Sequence, residues 1–448
     1  MGGVWRDNTY PGCACDVPSH LYALSFVANP GWTEHFASQK EILQYLNFTV
    51  ESFQLKNKIN FEHKVECLKW DEESQEWQVH TDKGLFKAQF VAAAIGFLST
   101  PNIPSIKNIE SFKGKVFHSA TWDQDFKAEG KSIAVMGTGA SAIQFIPYLQ
   151  SKAEKLYVFQ RTPAWILPRK NYQVSERTKK LFADFPILRK LWRLKIYLQL
   201  EFAVLGFMHP GLMKQAQEMA TLHLNNSVQD VELRRKLTPN YVIGCKRIML
   251  SDDYYPAVAQ KNVEIVCDGV AEMTEDSIVD TQGVKRKVDA LIFGTGFKTR
   301  NLPFGDAVIG VNGQTLAHAW SGSPKAYFGT TVAGFPNLFV LQGPNTGLGH
   351  SSVLYMVEAQ LKHILSLLRF MNQKKLSVVE VKQAAQDNFN SDLDKYSKES
   401  VWVAGGCQSW YIDETGRNYS LWPKASFKFH KQVSKVNFED YQFTGAKI

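Results

Sequence analysis

The chain is poor in everything that would staple, repeat or anchor a protein. Its 448 residues hold six cysteines, Cys13, Cys15, Cys67, Cys245, Cys267 and Cys407. They form no C-x-x-C pair and no even ladder of spacings, which argues against a zinc ribbon or a disulfide scaffold and for a reducing, cytoplasmic compartment. No His/Cys/Asp/Glu cluster has metal-ligand spacing, so no metal is expected. No stretch approaches the ~20 apolar residues of a membrane span, and no repeat of solenoid length or low-complexity tract is present. The opening residues lack the positively charged and apolar regions of a secretory signal, so export is not expected.

What is present is an ordinary globular composition, 44% hydrophobic and 21% charged, long enough for two or three packed domains. The net charge of +8 is spread along the chain and reads as a solvated surface, so no nucleic-acid partner is expected. Arg169, Lys170, Arg177, Lys179, Lys180, Arg189, Lys190, Arg193 and Lys195 make an exception by crowding one stretch that runs into the apolar "IYLQLEFAVLGFM" at 196–208. This reads first as an internal amphipathic helix. A second reading is a basic amphipathic surface at 189–208 that touches a membrane peripherally or lines a lipophilic channel.

Strand–turn–helix units punctuate the chain. Residues 59–66, 75–80 and 88–96 read as strands of a meander, 131–150 as strand, glycine turn and helix, and 155–162 as the next strand. Helical spacing fills about 172–236, and strand patterns return at 263–270, 288–297 and 337–343, followed by a helix from Ser352 to Phe370. The fold class expected is α/β with parallel sheets.

Gly137, Gly139 and Ala142 form G-x-G-x-x-A between a strand and a helix. The first glycine permits the tight turn, the second lets the backbone approach a pyrophosphate, and the small third residue allows close packing. The phosphate then meets the free N–H groups of the helix start. An NAD site ends its second strand with a carboxylate, whereas here stand Gln160, Arg161 and Thr162. A guanidinium and a hydroxyl suit a 2′-phosphate, so NADP is favoured over NAD.

Phe112, Gly114, His118, Trp122 and Asp123 lie between these units in the spacing F-x-G-x-x-x-H-x-x-x-W-D. Taken alone, His118 reads as a hydrogen-bonded linker residue. The spacing resembles the fingerprint of Baeyer–Villiger monooxygenases, and Trp122 favours them over the related flavin-containing monooxygenases. The resemblance covers almost the whole chain, and it implies two Rossmann-like domains with a helical insertion. On that basis residues 1–126 belong to an FAD-binding domain, 127–300 to an NADP-binding domain with the insertion at about 172–236, and 301–448 to the rest of the FAD domain.

The resemblance also implies site roles. Gly3, Trp5, Asp16 and Tyr22 in "GGVWRDNTYPGCACDVPSHLY", together with Val65 and Val353, would contact FAD. In "GCKRIMLSDDYY", Lys246 would hold the 2′-phosphate with Arg161 and Thr162, and Arg247 would touch NADP and be catalytic, with Asp16 orienting it. Thr138, Ala140, Ser141 and Gln144 in "GTGASAIQ", and Trp410, would touch NADP, and "GPNTGLGHSSV" at 343–353 would lie beside the flavin ring. The implied reaction uses FAD and NADP(H) to insert one oxygen atom of O2 beside a carbonyl of a small lipophilic substrate, on a monomer. Two alternatives stay open: oxygenation of nitrogen, sulfur or an alkyl chain, and a non-catalytic NADP-binding remnant. The family normally begins with a strand–glycine turn–helix–strand unit for the ADP part of FAD, and no such unit precedes "GGVW" here. The expectation is an FAD domain truncated at its N-terminus, with Met1 an internal start.

Overall fold

Five short segments, most buried at the sheet centre, pair as a parallel sheet. In sheet order they are Val263–Val266, Lys155–Phe159, Ser132–Met136, Ala290–Phe293 and Lys115–His118. Ala290 pairs with Ile133 on one side and Lys115 on the other, so the late strand is inserted between two early ones. The chain is described here from a computed structural model covering residues 1–299 and 304–445.

The chain divides into two compact units. The first comprises 1–53, 101–196 and 213–297, and contains this sheet; the second comprises 54–100, 197–212 and 298–448. The expected domain boundary at 300/301 falls outside the described residues.

In the first unit the helix Ala142–Gln150 buries Ala142, Ile143, Phe145, Ile146 and Leu149, the i, i+3, i+4, i+7 face of an amphipathic helix. Pro147 sits inside it and removes one backbone donor, so burial must hold the helix together where a hydrogen bond is missing. Truncating the fully buried Phe145 to Ala would cost about 3–5 kcal/mol. The expected insertion is helical throughout its length. Glu176–Asp184, Pro186–Phe202, Val204–Met208, Lys214–Ser227 and Val231–Leu237 follow one another, the first capped by Ser175 and the last by Asp230.

In the second unit Val308–Ile309, Val65–Asp71, Glu76–Thr81 and Gly84–Ala88 form one sheet, and Val91–Ala93 pairs in parallel with Leu338–Val340. The strand expected at 59–66 is displaced to Val65–Asp71, because the cross-strand pair Trp70–Trp77, ring centroids 5.6 Å apart, sets the hairpin register. Ile59 and Phe61 alternate like strand residues but are exposed. The helix Val353–Lys374 begins at Ser352, whose hydroxyl accepts from the Leu354 N–H.

Candidate active site

The glycine turn after Ser132–Met136 is enforced by contact. Gly137 has φ +102°, and a Cβ there would lie 2.5 Å from the Gly294 carbonyl oxygen. Gly294 itself leaves only 3.0 Å between a would-be Cβ and the Ala142 side chain. Helix Ala142–Gln150 starts with no side-chain cap on its N–H groups. These donors and the positive end of the helix dipole face the C-terminal edge of the parallel sheet, where such folds bind ligands. The Gly294–Thr295–Gly296 turn is a partner that sequence reading missed; its signal was a second small-residue turn after a buried strand.

Cations gather around this turn in two different states. Arg247 donates from Nε (2.9 Å) and Nη2 (2.5 Å) to one carboxylate oxygen of Asp16. Both side chains are about one-third exposed, at 33% and 27%. The neighbouring Lys246 lies 5.1 Å over the Tyr241 ring, and its pKa is lowered, first by burial and then by the positive charge of Arg161. Among the described residues neither Lys246 nor Arg161 has a carboxylate within ion-pair distance. Two neighbouring cations without a carboxylate at ion-pair distance are an arrangement that a phosphate can complete. Thr138 is buried, and its hydroxyl donates to the Thr162 carbonyl at 3.5 Å.

The fingerprint residues build the frame of this unit. A Cβ on Gly114 would lie 2.4 Å from the Asp289 carbonyl oxygen, so only glycine fits beside the inserted strand. Phe112 is core, Trp122 packs 5.2 Å from Phe145, and Asp123 accepts from Lys115 Nζ at 3.1 Å. His118 ends the edge strand; its Nδ1 accepts from the Ala120 N–H, and burial lowers its pKa. His118 Nε2 is buried without a hydrogen-bond partner among the described residues.

The N-terminal segment is fastened to the same helix. Gln144, expected at the nucleotide, has its amide engaged with Ala14 O (3.0 Å) and its carbonyl with the Tyr10 hydroxyl (3.0 Å). Arg169 donates to Cys15 O, and Arg193 to the carbonyls of His20 and Ala23. Two members of the basic stretch therefore point inward and hold the chain that carries Asp16. Trp5 donates to the Tyr22 hydroxyl at 3.1 Å, and the Tyr22 pKa is raised chiefly by burial. Gly3 has φ +50° with open space around it.

The remaining expected residues lie in the second unit. Val65 is exposed at the start of its strand, and Val353 opens the long helix. Trp410 lines an apolar cavity with Phe97, Trp320, Gln342, Gly343 and Pro344. In the loop 343–352, Asn345 is tied to Asn418 O and Leu421 O, while Ser351 Oγ and His350 Nδ1 are buried without partners among the described residues. Buried polar atoms without partners fit a loop that a polar ligand completes. Among the described residues no group of three or more His, Cys, Asp or Glu side chains could hold a metal ion.

Comparison with known proteins identifies the family. The family model described as flavin-binding monooxygenase-like matches residues 13–318. A Baeyer–Villiger monooxygenase of Pseudomonas aeruginosa is 46% identical over 99% of this chain and 85% of its own. Among solved structures, cyclohexanone monooxygenase from Rhodococcus sp. Phi1 bound to NADP+ has a TM-score of 0.89 at 25% identity, covering 99% of this chain and 92% of that one. OTEMO in complex with FAD and NADP has a TM-score of 0.88 at 25% identity, covering 99% and 93%. With its fingerprint, its glycine turn and its Lys–Arg pair set in this fold, the chain belongs to the flavin-binding monooxygenase-like family.

Proposed function

We propose that this chain is a Baeyer–Villiger monooxygenase using FAD and NADP(H). It converts a small lipophilic ketone, O2, NADPH and a proton into an ester or lactone, NADP+ and water. One oxygen atom enters between the carbonyl carbon and a neighbouring carbon, and the other leaves as water. The observation that carries this reading is Arg247, clamped on Asp16 and one residue from the uncompensated Lys246–Arg161 pair.

FAD, when bound, supplies the two-electron chemistry that activates O2; the chain supplies position and charge. Residues 1–126 and 301–448 are assigned to FAD and 127–300 to NADP. Gly3, Trp5, Asp16, Tyr22, Val65 and Val353 contact FAD. The Gly137–Gly139 turn, with Thr138, Ala140, Ser141 and Ala142, takes the pyrophosphate at the helix start, and Arg161, Thr162 and Lys246 take the 2′-phosphate. Oxygen insertion develops negative charge on oxygen in a site that must stay dry, and a guanidinium keeps its proton at any working pH. Arg247 therefore stabilises that charge and touches NADP, while Asp16 fixes the plane of the guanidinium. The aromatic cavity with Phe97 and Trp410 suits a ring system.

Product analysis tests the reading. The enzyme supplied with FAD, NADPH and labelled O2 is given cyclic and aryl ketones; esters or lactones carrying one labelled oxygen are expected. Only sulfoxides or N-oxides from a parallel set of sulfides and amines would overturn the assignment in favour of heteroatom oxygenation. NADP binding without any oxygenation would overturn it in favour of a binding module.

A further inference from the structure

The helix Pro186–Phe202 presents its apolar side chains to water. In its first turns Ile187, Leu191 and Leu194 are 61%, 53% and 49% exposed, and Phe185, just before it, is 54% exposed. At 100° per residue these three helical positions fall within about 60° of one another, with Lys190 about 40° beyond one edge and Lys195 about 40° beyond the other. The opposite face is well fastened: Arg193 donates to His20 O and Ala23 O, Arg189 to Phe182 O, and Ile196 is buried. The stripe is therefore the outward face of an anchored helix.

The charge beside the stripe is also uncompensated. Lys180, Lys190 and Lys195 make no ion pair among the described residues; Lys195 leans over the Trp192 ring at 4.8 Å. The nearby carboxylates are Asp184 and Glu176, and Glu176 is occupied by Lys179 at 2.7 Å. Apolar side chains rimmed by free ammonium groups complement a surface that is apolar within and anionic at its edge. No helix among the described residues is long and apolar enough to cross a membrane. A helix with this pattern lies in the plane of the lipid headgroups, its leucines among the acyl chains and its lysines at the phosphates.

We propose that the face built by Phe185, Ile187, Leu191 and Leu194, with Lys190 and Lys195, docks this protein on anionic lipid bilayers. Docking would set the enzyme beside the phase in which lipophilic carbonyl compounds dissolve, whichever such compound it takes. Co-sedimentation of the full chain with phosphatidylcholine vesicles, with and without phosphatidylglycerol, tests it. Binding is expected only with the anionic lipid, weakening as salt is raised. Lys190→Glu with Lys195→Glu should weaken it by more than the ~5-fold expected for each neutralised lysine. Leu191→Ser with Leu194→Ser should abolish it, with circular dichroism confirming an unchanged fold. Lys58→Glu with Lys83→Glu, the same change of charge at residues outside this helix, should leave it unchanged. Equal binding to neutral vesicles, or no binding to either, overturns the proposal. So does self-association in the ultracentrifuge that Leu191→Ser removes while vesicle binding stays absent, since the face would then meet a second copy.

Discussion

Lys246 and Arg247 are neighbours in the chain and opposites in their surroundings. Arg247 has a carboxylate at 2.5 Å; Lys246 has none at ion-pair distance among the described residues, and burial and then the charge of Arg161 lower its pKa. A cation given its own carboxylate is held in orientation and loses little freedom when a ligand arrives. A pair of cations without one is destabilised until an anion comes, so the binding energy of that anion is reserved for it. On the proposed function, the contrast separates a residue placed to act from residues placed to recognise.

The sharpest way to break this contrast is Arg247→Ala. Loss of a preformed charge at the developing oxyanion should lower oxygenation by about 10²–10³-fold. Flavin reduction by NADPH should continue and oxygen consumption should uncouple from product; coupled turnover at the wild-type rate would contradict the role. Arg161→Ala and Lys246→Ala come next. Each should raise the KM for NADPH by about 10–100-fold, the worth of a hydrogen bond to a charged group, while leaving that for NADH nearly unchanged.

Asp16→Asn should act more gently. The amide still accepts a hydrogen bond but no longer opposes the guanidinium charge, so oxygenation should fall by about tenfold with NADPH affinity preserved. Acidity gives a subtler readout. The Lys246 pKa is lowered, so its charge is lost at lower pH than for an ordinary lysine. NADPH affinity should therefore begin to decline at a correspondingly lower pH as the solution is made alkaline. Arg161→Gln should move that decline back upward, and an unmoved profile would show that the two cations do not interact. The smallest effect belongs to an exposed pair such as Lys113–Glu275, side chains 74% and 70% exposed. Lys113→Ala should shift the melting temperature by no more than about 1–2 °C.

Much of the nucleotide half was legible because its chemistry and its backbone demands coincide in one short stretch. Gly137, Gly139 and Ala142 announce a turn, a phosphate site and a packing contact at once, and the observed strand and helix bracket them as expected. The helical insertion was legible from periodicity alone. What was hidden depends on partners far away in the chain. Gln144 could be placed at the nucleotide turn from its position, but nothing local shows that its amide holds Tyr10 and Ala14. Arg169 and Arg193 looked like two more charges in a basic run, and only the folded chain turns them onto backbone carbonyls. Strand placement at 59–66 failed for a related reason: local alternation was satisfied, yet the Trp70–Trp77 pair chose the register. Gly294 was missed because its role is to receive another glycine.

The order of strands in the parallel sheet has a kinetic meaning. Among the described residues Lys115–His118 pairs with Ala290–Phe293 alone, and that strand leaves the ribosome after the entire helical insertion. The edge strand and its Gly114 contact must therefore wait, while Ser132–Met136 and Lys155–Phe159 can zip together early across a short helix. Closing so long a loop is entropically costly and slow. The fingerprint segment thus marks the last part of its sheet to lock, and a chain that fails to finish synthesis exposes an unpaired strand edge at Ser132–Met136.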